Sequence, residues 1–345
     1  MQFCFKKLLL CSLSACLALA ASSFSFCSCW AAENPLVADS VERVEKQLGD
    51  LPTLTGKEKI GVLCTSLSNP YWVRMKECYA DWSAKMGVAV EVMAPATDAD
   101  PRAQLDIFEA MLAKGYDAII VTPLDGMNLI PGVLKANERG VPIVCSGPAI
   151  SAEGLEQAGA KVNGWISAAF YDQGNLCAAD MARRLPAGFA AAVIEGKPGA
   201  AQSKARREGA LAALEAAGAK VVSVEAGNWD RNDAYNIATN VLKANPDLRG
   251  LYCANDVMAL AAVDAFEVAG KKDVLVYGTD FIAQAQEAIR AGRLTGSTTF
   301  SQYAWTRGAL IYTLKLVKGL DIPDRLGIPI TLVTLENIDK FDGWR

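Results

Sequence analysis

The sequence predicts an α/β chain of two doubly wound, parallel-sheet lobes. Short β-branched runs, apolar almost throughout, alternate with amphipathic stretches at the spacing of βαβ units, the pattern expected when helices cover both faces of a parallel sheet. The alternation stops and then restarts near Ala190, as two similar units in succession would. The chain has 345 residues. Without its leader it keeps about 300 or more, enough for two separate cores.

The elements follow in order. Asp39–Leu48 reads as a short amphipathic helix, and residues 49–56, with Pro52, as a connector. Ile60–Cys64 is a strand, Tyr71–Lys85 a helix, Val88–Met93 a strand, Ala103–Lys114 a helix and Ala118–Val121 a strand. Leu129–Arg139 is a helix and Val141–Cys145 a strand. The second series runs Ala190–Glu195 (strand), Gln202–Ala217 (helix), Lys220–Glu225 (strand), Asp233–Lys243 (helix) and Gly250–Cys253 (strand). It continues with Val257–Val268 (helix), Val274–Tyr277 (strand), Ile282–Ala291 (helix) and Leu294–Thr299 (strand).

Residues 1–31 read as an export signal. Lys6 and Lys7 precede an apolar stretch carrying Leu8, Leu9, Leu10, Leu13, Leu17 and Leu19, small residues follow around Cys29–Ala32, and the first acid is Glu33. The strongly apolar run falls short of the ~20 residues that a spanning helix needs. Cleavage fits after Ala20 or after Ala31, and Leu13-Ser14-Ala15-Cys16 resembles a lipoprotein signal. A periplasmic location is therefore expected, with lipid anchoring as the alternative.

The formal net charge is −4, from 34 basic and 38 acidic residues, with no basic block to mark a nucleic-acid footprint. Of ten cysteines, Cys64, Cys78, Cys145, Cys177 and Cys253 lie beyond Ala31. Their odd number and apolar neighbours suit buried small hydrophobes better than a disulfide framework. No Cys-x-x-Cys pair suggests zinc, and no cofactor is expected. The chain has no histidine, which removes the Ser-His-Asp and Cys-His arrangements and the commonest metal ligand. An enzyme is not expected.

In open parallel sheets, ligands bind beyond the carboxyl ends of the strands. The segments at those ends include Ser68–Trp72, Thr122–Asp125, Ser146–Pro148, Gly196–Lys204, Gly227–Asp230, Ala254–Asp256, Gly278–Asp280 and Phe300–Gln302. They are rich in amides, carboxylates and aromatic rings. Amides and carboxylates suit hydroxyl groups, and flat rings suit the C–H face of a sugar. Lys204 and Arg206, in the first turns of a helix, occupy positions where solvated charge is usual. Asp256 reads as a helix N-cap.

Ile60–Trp72 resembles the opening of the ribose-type periplasmic binding proteins, the type I solute receptors of bacterial ABC importers. Tyr252–Leu260 is similar to their Asn-Asp segment and Val276–Asp280 to their Val-x-Gly-x-Asp turn, while Pro142–Val144 and Asn228–Asp230 match in order. The resemblance covers roughly residues 57–340. It implies ligand contacts by Asn69, Tyr71 and Trp72 from one lobe and by Lys204, Trp229, Asn255 and Asp280 from the other. Tyr71 or Trp72 would sandwich a sugar ring with Trp229, Asn255 and Asp280 would hold hydroxyls, and Lys204 would stand where the family carries arginine. Gly147-Pro148 replaces the family's Asp-Arg, Ala168-Ala169-Phe170 its polar hinge segment, and Phe300 a polar residue at the second hinge, all of which make the pocket more apolar.

The implied lobes are residues 57–168 with 301–327, and 169–300 with 328–345, after an extension at 32–56. They would be joined by three crossings near Ala169, Phe300 and Gly327, with helix Tyr303–Leu316 returning to the first lobe. The implied function is an exported monomer that delivers a sugar or polyol to ABC permease subunits by closing its lobes on it. The alternative is a receptor that signals to a membrane histidine kinase or chemoreceptor.

Overall fold

The computed structural model describes Asn34–Trp344; the expected export signal and its cysteines lie outside the described residues. The chain forms helix α1 (Pro35–Leu48), then β1 (Lys59–Leu63), α2 (Pro70–Met86), β2 (Ala89–Met93), α3 (Pro101–Met111), β3 (Ala118–Val121), α4 (Ile130–Glu138) and β4 (Ile143–Ser146). A stretch that the apolar pattern left unassigned adds α5 (Ala152–Ala158), β5 (Gly164–Ala168) and α6 (Phe170–Arg184). The second series is β6 (Ala190–Glu195), α7 (Ala201–Ala216), β7 (Lys220–Ala226), α8 (Arg231–Ala244), β8 (Leu248–Cys253), α9 (Asp256–Val268), β9 (Leu275–Thr279), α10 (Ala283–Arg290) and β10 (Gly296–Thr299). It is followed by α11 (Gln302–Val317), β11 (Arg325–Ile328), β12 (Thr331–Thr334) and a 3₁₀ turn at Ile338–Phe341.

Two six-stranded sheets result, ordered β2-β1-β3-β4-β5-β11 and β7-β6-β8-β9-β10-β12. Pairing is parallel except at one edge, where β12 runs antiparallel to β10. The central strands are apolar because both faces are covered: β3 (Ala-Ile-Ile-Val) is buried at every position. Helix α9 is apolar on nearly every side and buries nine of its residues. In both sheets the strand order reverses beside the first strand of the series, between β1 and β3 and between β6 and β8. Those are the switch points beyond which a doubly wound sheet offers a crevice.

The chain passes between the sheets three times: from β5 into α6, from β10 into α11, and from β11 into β12. Helix α11 returns to pack on α1 and α2. The five described cysteines are all buried and none forms a disulfide. No described helix is long and apolar enough to cross a membrane.

Helix α1 does more than extend the chain. Val37, Val44 and Leu48 enter the core of the first lobe, and Gln47 bonds the backbone of Gly327 on β11 through both its amide nitrogen and its oxygen. Its N-cap reaches the other lobe. Asn34 Nδ2 donates to the carbonyls of Lys340 and Asp342 at 2.8 and 2.7 Å, and Leu36 packs on the second core. The helix is thus a strap across the hinge. Asn34→Ala removes two long-range hydrogen bonds and the cap on Leu36 N. A loss of about 1–3 kcal/mol in unfolding free energy is expected, read as a lower urea midpoint; an unchanged midpoint would mean that the strap contributes nothing to stability.

Candidate functional site

The two switch points face each other across a cavity of about 740 Å³, part of it continuous with solvent. Its walls come from the carboxyl ends of β1, β2, β3, β4, β6, β8 and β9, the turn after β7, and the start of α6, α7 and α11. Six of the seven residues singled out from the sequence line it: Asn69, Tyr71, Trp72, Trp229, Asn255 and Asp280.

On the first lobe, Asn69 caps α2, its Oδ1 accepting from Tyr71 N at 2.9 Å, which leaves its amide donors for the cavity. Tyr71 packs edge-on against Trp72 and Phe300, with ring centroids 4.8 and 6.0 Å away. On the second lobe, Trp229 follows Asn228 in a pair of left-handed residues, φ 63° and 54°. This costly turn swings the indole back over the end of β6. The ring lies where a side chain on Gly196 would be: a Cβ there would meet Trp229 Cη2 at 2.0 Å. Gly196→Ala is therefore expected to displace the indole and weaken ligand binding about tenfold or more by titration calorimetry, by the usual worth of an aromatic anchor. Binding within twofold of the parent would show that the ring's seat does not matter.

The polar pole of the cavity belongs to the second lobe. Asn255 caps α9 through Met258 N at 3.0 Å. Asp256 is not the cap; it is fully buried, accepting from Ser297 Oγ at 2.7 Å and Ile282 N at 2.9 Å, and braces the turn beneath Asp280. Asp280 stands at φ 108°, and its carboxylate lies 3.5 Å from Arg206 Nη2. Burial lifts its pKa to about 6, with Arg206 pulling the other way.

Lys204 is not in this site. Its side chain is 70% exposed and its nearest acid is Glu208 at 3.9 Å. The inward position belongs to Arg206, one of the charges read above as solvated. The buried face of α7 runs Ser203, Arg206, Gly209, Ala210, Ala213, a 3.6-residue stripe that includes Arg206 and leaves Lys204 outside; the run of small residues was the available signal. Arg206 is 6% exposed. It donates to Gln173 Oε1 at 2.9 Å and to the Ala254 carbonyl at 2.8 Å. Its place also depends on close helix packing, since a Cβ on Gly174 would meet the Arg206 carbonyl at 1.9 Å.

Met75, Leu124, Pro148, Phe170, Phe300 and Trp305 form an apolar part of the remaining wall. Thr65, Asp98, Thr122, Lys197 and Gln202 also line it. No group of acids and cysteines among the described residues could hold a metal.

The chain matches the family described as the periplasmic binding protein domain over residues 60–321. It is 37% identical over 239 residues to the D-allose-binding periplasmic protein of Escherichia coli, covering 68% of this chain and 77% of that one. It is 28% identical over 288 residues to the ribose import binding protein of Bacillus subtilis, covering 82% and 90%. Among solved structures, an ABC transporter periplasmic solute-binding protein from Actinobacillus succinogenes with bound D-allose superposes with a TM-score of 0.78 at 31% identity, covering 82% of this chain and 99% of that one. Helix α1 precedes the matched region. These relatives are substrate-binding components of transporters, not enzymes. With two parallel-sheet lobes, facing switch points and a matching stretch that spans both, the chain is a member of the periplasmic binding protein family.

Proposed function

We propose that the protein captures a small neutral polyhydroxylated solute, a monosaccharide or polyol, between its lobes in the periplasm and delivers it as a monomer to ABC permease subunits. One observation carries this reading: a cavity between the two switch points combines aromatic walls from both lobes with a buried Asp280–Arg206 pair. Tyr71 or Trp72 on one side and Trp229 on the other would stack on the ring's C–H faces. Asp280 and Asn255 would hold hydroxyls, Asp280 by the stronger charge-assisted bonds. The paired charges make the pole neutral overall, which favours an uncharged ligand. Gly147 and Pro148 offer no hydroxyl clamp, so on the first lobe Asn69 supplies the polar contact and the charged grip falls on the second. A ligand touching both lobes favours the closed form by its differential affinity for that form. The permease would read the closed state.

The test is a thermal-shift panel on the protein without its leader: D-allose, D-ribose, D-arabinose, other aldoses, and polyols. At about a thousandfold excess over the dissociation constant, a true ligand adds about 4 kcal/mol, a rise of roughly 6 °C for a chain of this size. If no sugar or polyol shifts the midpoint, the reading is wrong.

A further inference from the structure

The polar pole described above occupies one part of the cavity, and a second pole exists. Among the described residues, five buried side-chain polar atoms lack a hydrogen-bond partner: Thr65 Oγ1, Asp98 Oδ1, Gln173 Nε2, Gln202 Oε1 and Ser203 Oγ. Three of these residues, Thr65, Asp98 and Gln202, line the cavity. A buried polar atom without a partner is costly and uncommon in a native fold, and a ligand group is one remedy.

Asp98 and Gln202 stand on opposite lobes. Asp98 lies in the loop between β2 and α3, and Gln202 in the first turn of α7. Lys197, in the loop that leads to α7, donates to the Asp98 carbonyl at 3.0 Å. That bond draws the two loops together over the cavity, and it uses the backbone oxygen of Asp98, leaving the carboxylate for another partner. An ionised Asp98 only accepts, so its partner must be a donor. Rotating the Gln202 amide would exchange acceptor for donor at the same spot, and either atom needs a partner. The lysine's charge beside Asp98 disfavours a ligand ammonium, and the carboxylate itself disfavours a ligand acid. A hydroxyl satisfies both.

We propose that Asp98 and Gln202 are specificity-determining residues that grip adjacent hydroxyls of the ligand across the two lobes, at the edge of the cavity where Lys197 closes it. The proposal rests on the sugar reading given above. It places a selective contact on the first lobe, whose Gly147-Pro148 turn supplies none.

The test uses titration calorimetry with the best ligand of the thermal-shift panel and its monodeoxy analogues, D-allose and the deoxy-D-alloses being the first series. Asp98→Ala and Gln202→Ala are each expected to weaken binding of the parent sugar tenfold or more. For one monodeoxy analogue, already weak with the wild type, Asp98→Ala should cost less than threefold more. That non-additivity marks direct contact, because a merely structural role would weaken every analogue equally. Lys197→Met serves as the control for loop closure and should weaken all analogues alike. Wild-type binding with both alanine variants within threefold of it, or an equal loss for every analogue, overturns the proposal alone. A wild type that binds no sugar or polyol overturns the sugar reading and this proposal together.

Discussion

Arg206→Ala is expected to weaken ligand binding by roughly a hundredfold or more and to destabilise the fold by about 3–5 kcal/mol, the usual effect of breaking a buried ion pair. The side chain satisfies the Gln173 amide oxygen and the Ala254 carbonyl and lies 3.5 Å from the Asp280 carboxylate. Its removal strands two acceptors and leaves a carboxylate buried without its counter-charge. Lysine cannot replace it, because a single ammonium does not reach three acceptors held in the planes of a guanidinium fork. Arg206→Lys should therefore fall nearer to alanine than to wild type. Lys204→Ala, on the exposed face two residues earlier, is expected to bind within twofold of wild type. Calorimetry and urea unfolding on the three variants provide the check. Strong loss in Lys204→Ala with near-normal binding in Arg206→Ala would reverse the assignment.

Acidification is expected to move ligand affinity and unliganded stability in opposite directions. Burial raises the Asp280 pKa to about 6, against the pull of Arg206. The neighbouring Asp256 is pushed well above its ordinary value by burial and by the Asp280 charge. A carboxyl whose pKa is higher in the folded chain contributes stability that is fully present below its unfolded value, about 4, and is lost as pH rises through its folded value. For Asp280 the window is therefore roughly pH 4–6, and the contribution is about 3 kcal/mol at most. A sugar hydroxyl donates to the ionised form, so affinity should fall by up to about tenfold per pH unit below 6. Asp280→Asn should weaken binding at neutral pH and flatten the pH profile. Affinity constant between pH 5 and 8, with wild-type Asp280 in place, would mean that its carboxylate holds no ligand proton.

The legible and illegible parts of this fold have different physical origins. The central strands announced themselves because burial on both faces requires continuous apolar runs, as in Ala118–Val121 and Ala190–Glu195. Strand β5 did not: its residues, Gly-Trp-Ile-Ser-Ala, alternate between buried and half-buried. Strand β11, Arg-Leu-Gly-Ile, alternates too and holds only four residues. Helix α6 starts on Phe170 without a side-chain cap, so its beginning carries no local signal. In the site, the residues that follow strands were legible from topology. Arg206 was not, because its burial depends on the packing of α6 against α7 through Gly174 and Gly209. Asp98 was missed because it stands five residues beyond the end of β2, where only the approach of Lys197 from the other lobe makes its position meaningful.

The central claim is that one small solute is held by both lobes at once. The most direct measurement is titration calorimetry of the best sugar or polyol against wild type, Tyr71→Ala and Trp72→Ala on the first lobe and Trp229→Ala on the second. The account predicts binding by the wild type and a loss of about tenfold or more in Trp229→Ala and in at least one of the two first-lobe variants. Binding that survives both first-lobe substitutions, or that survives Trp229→Ala, would contradict it.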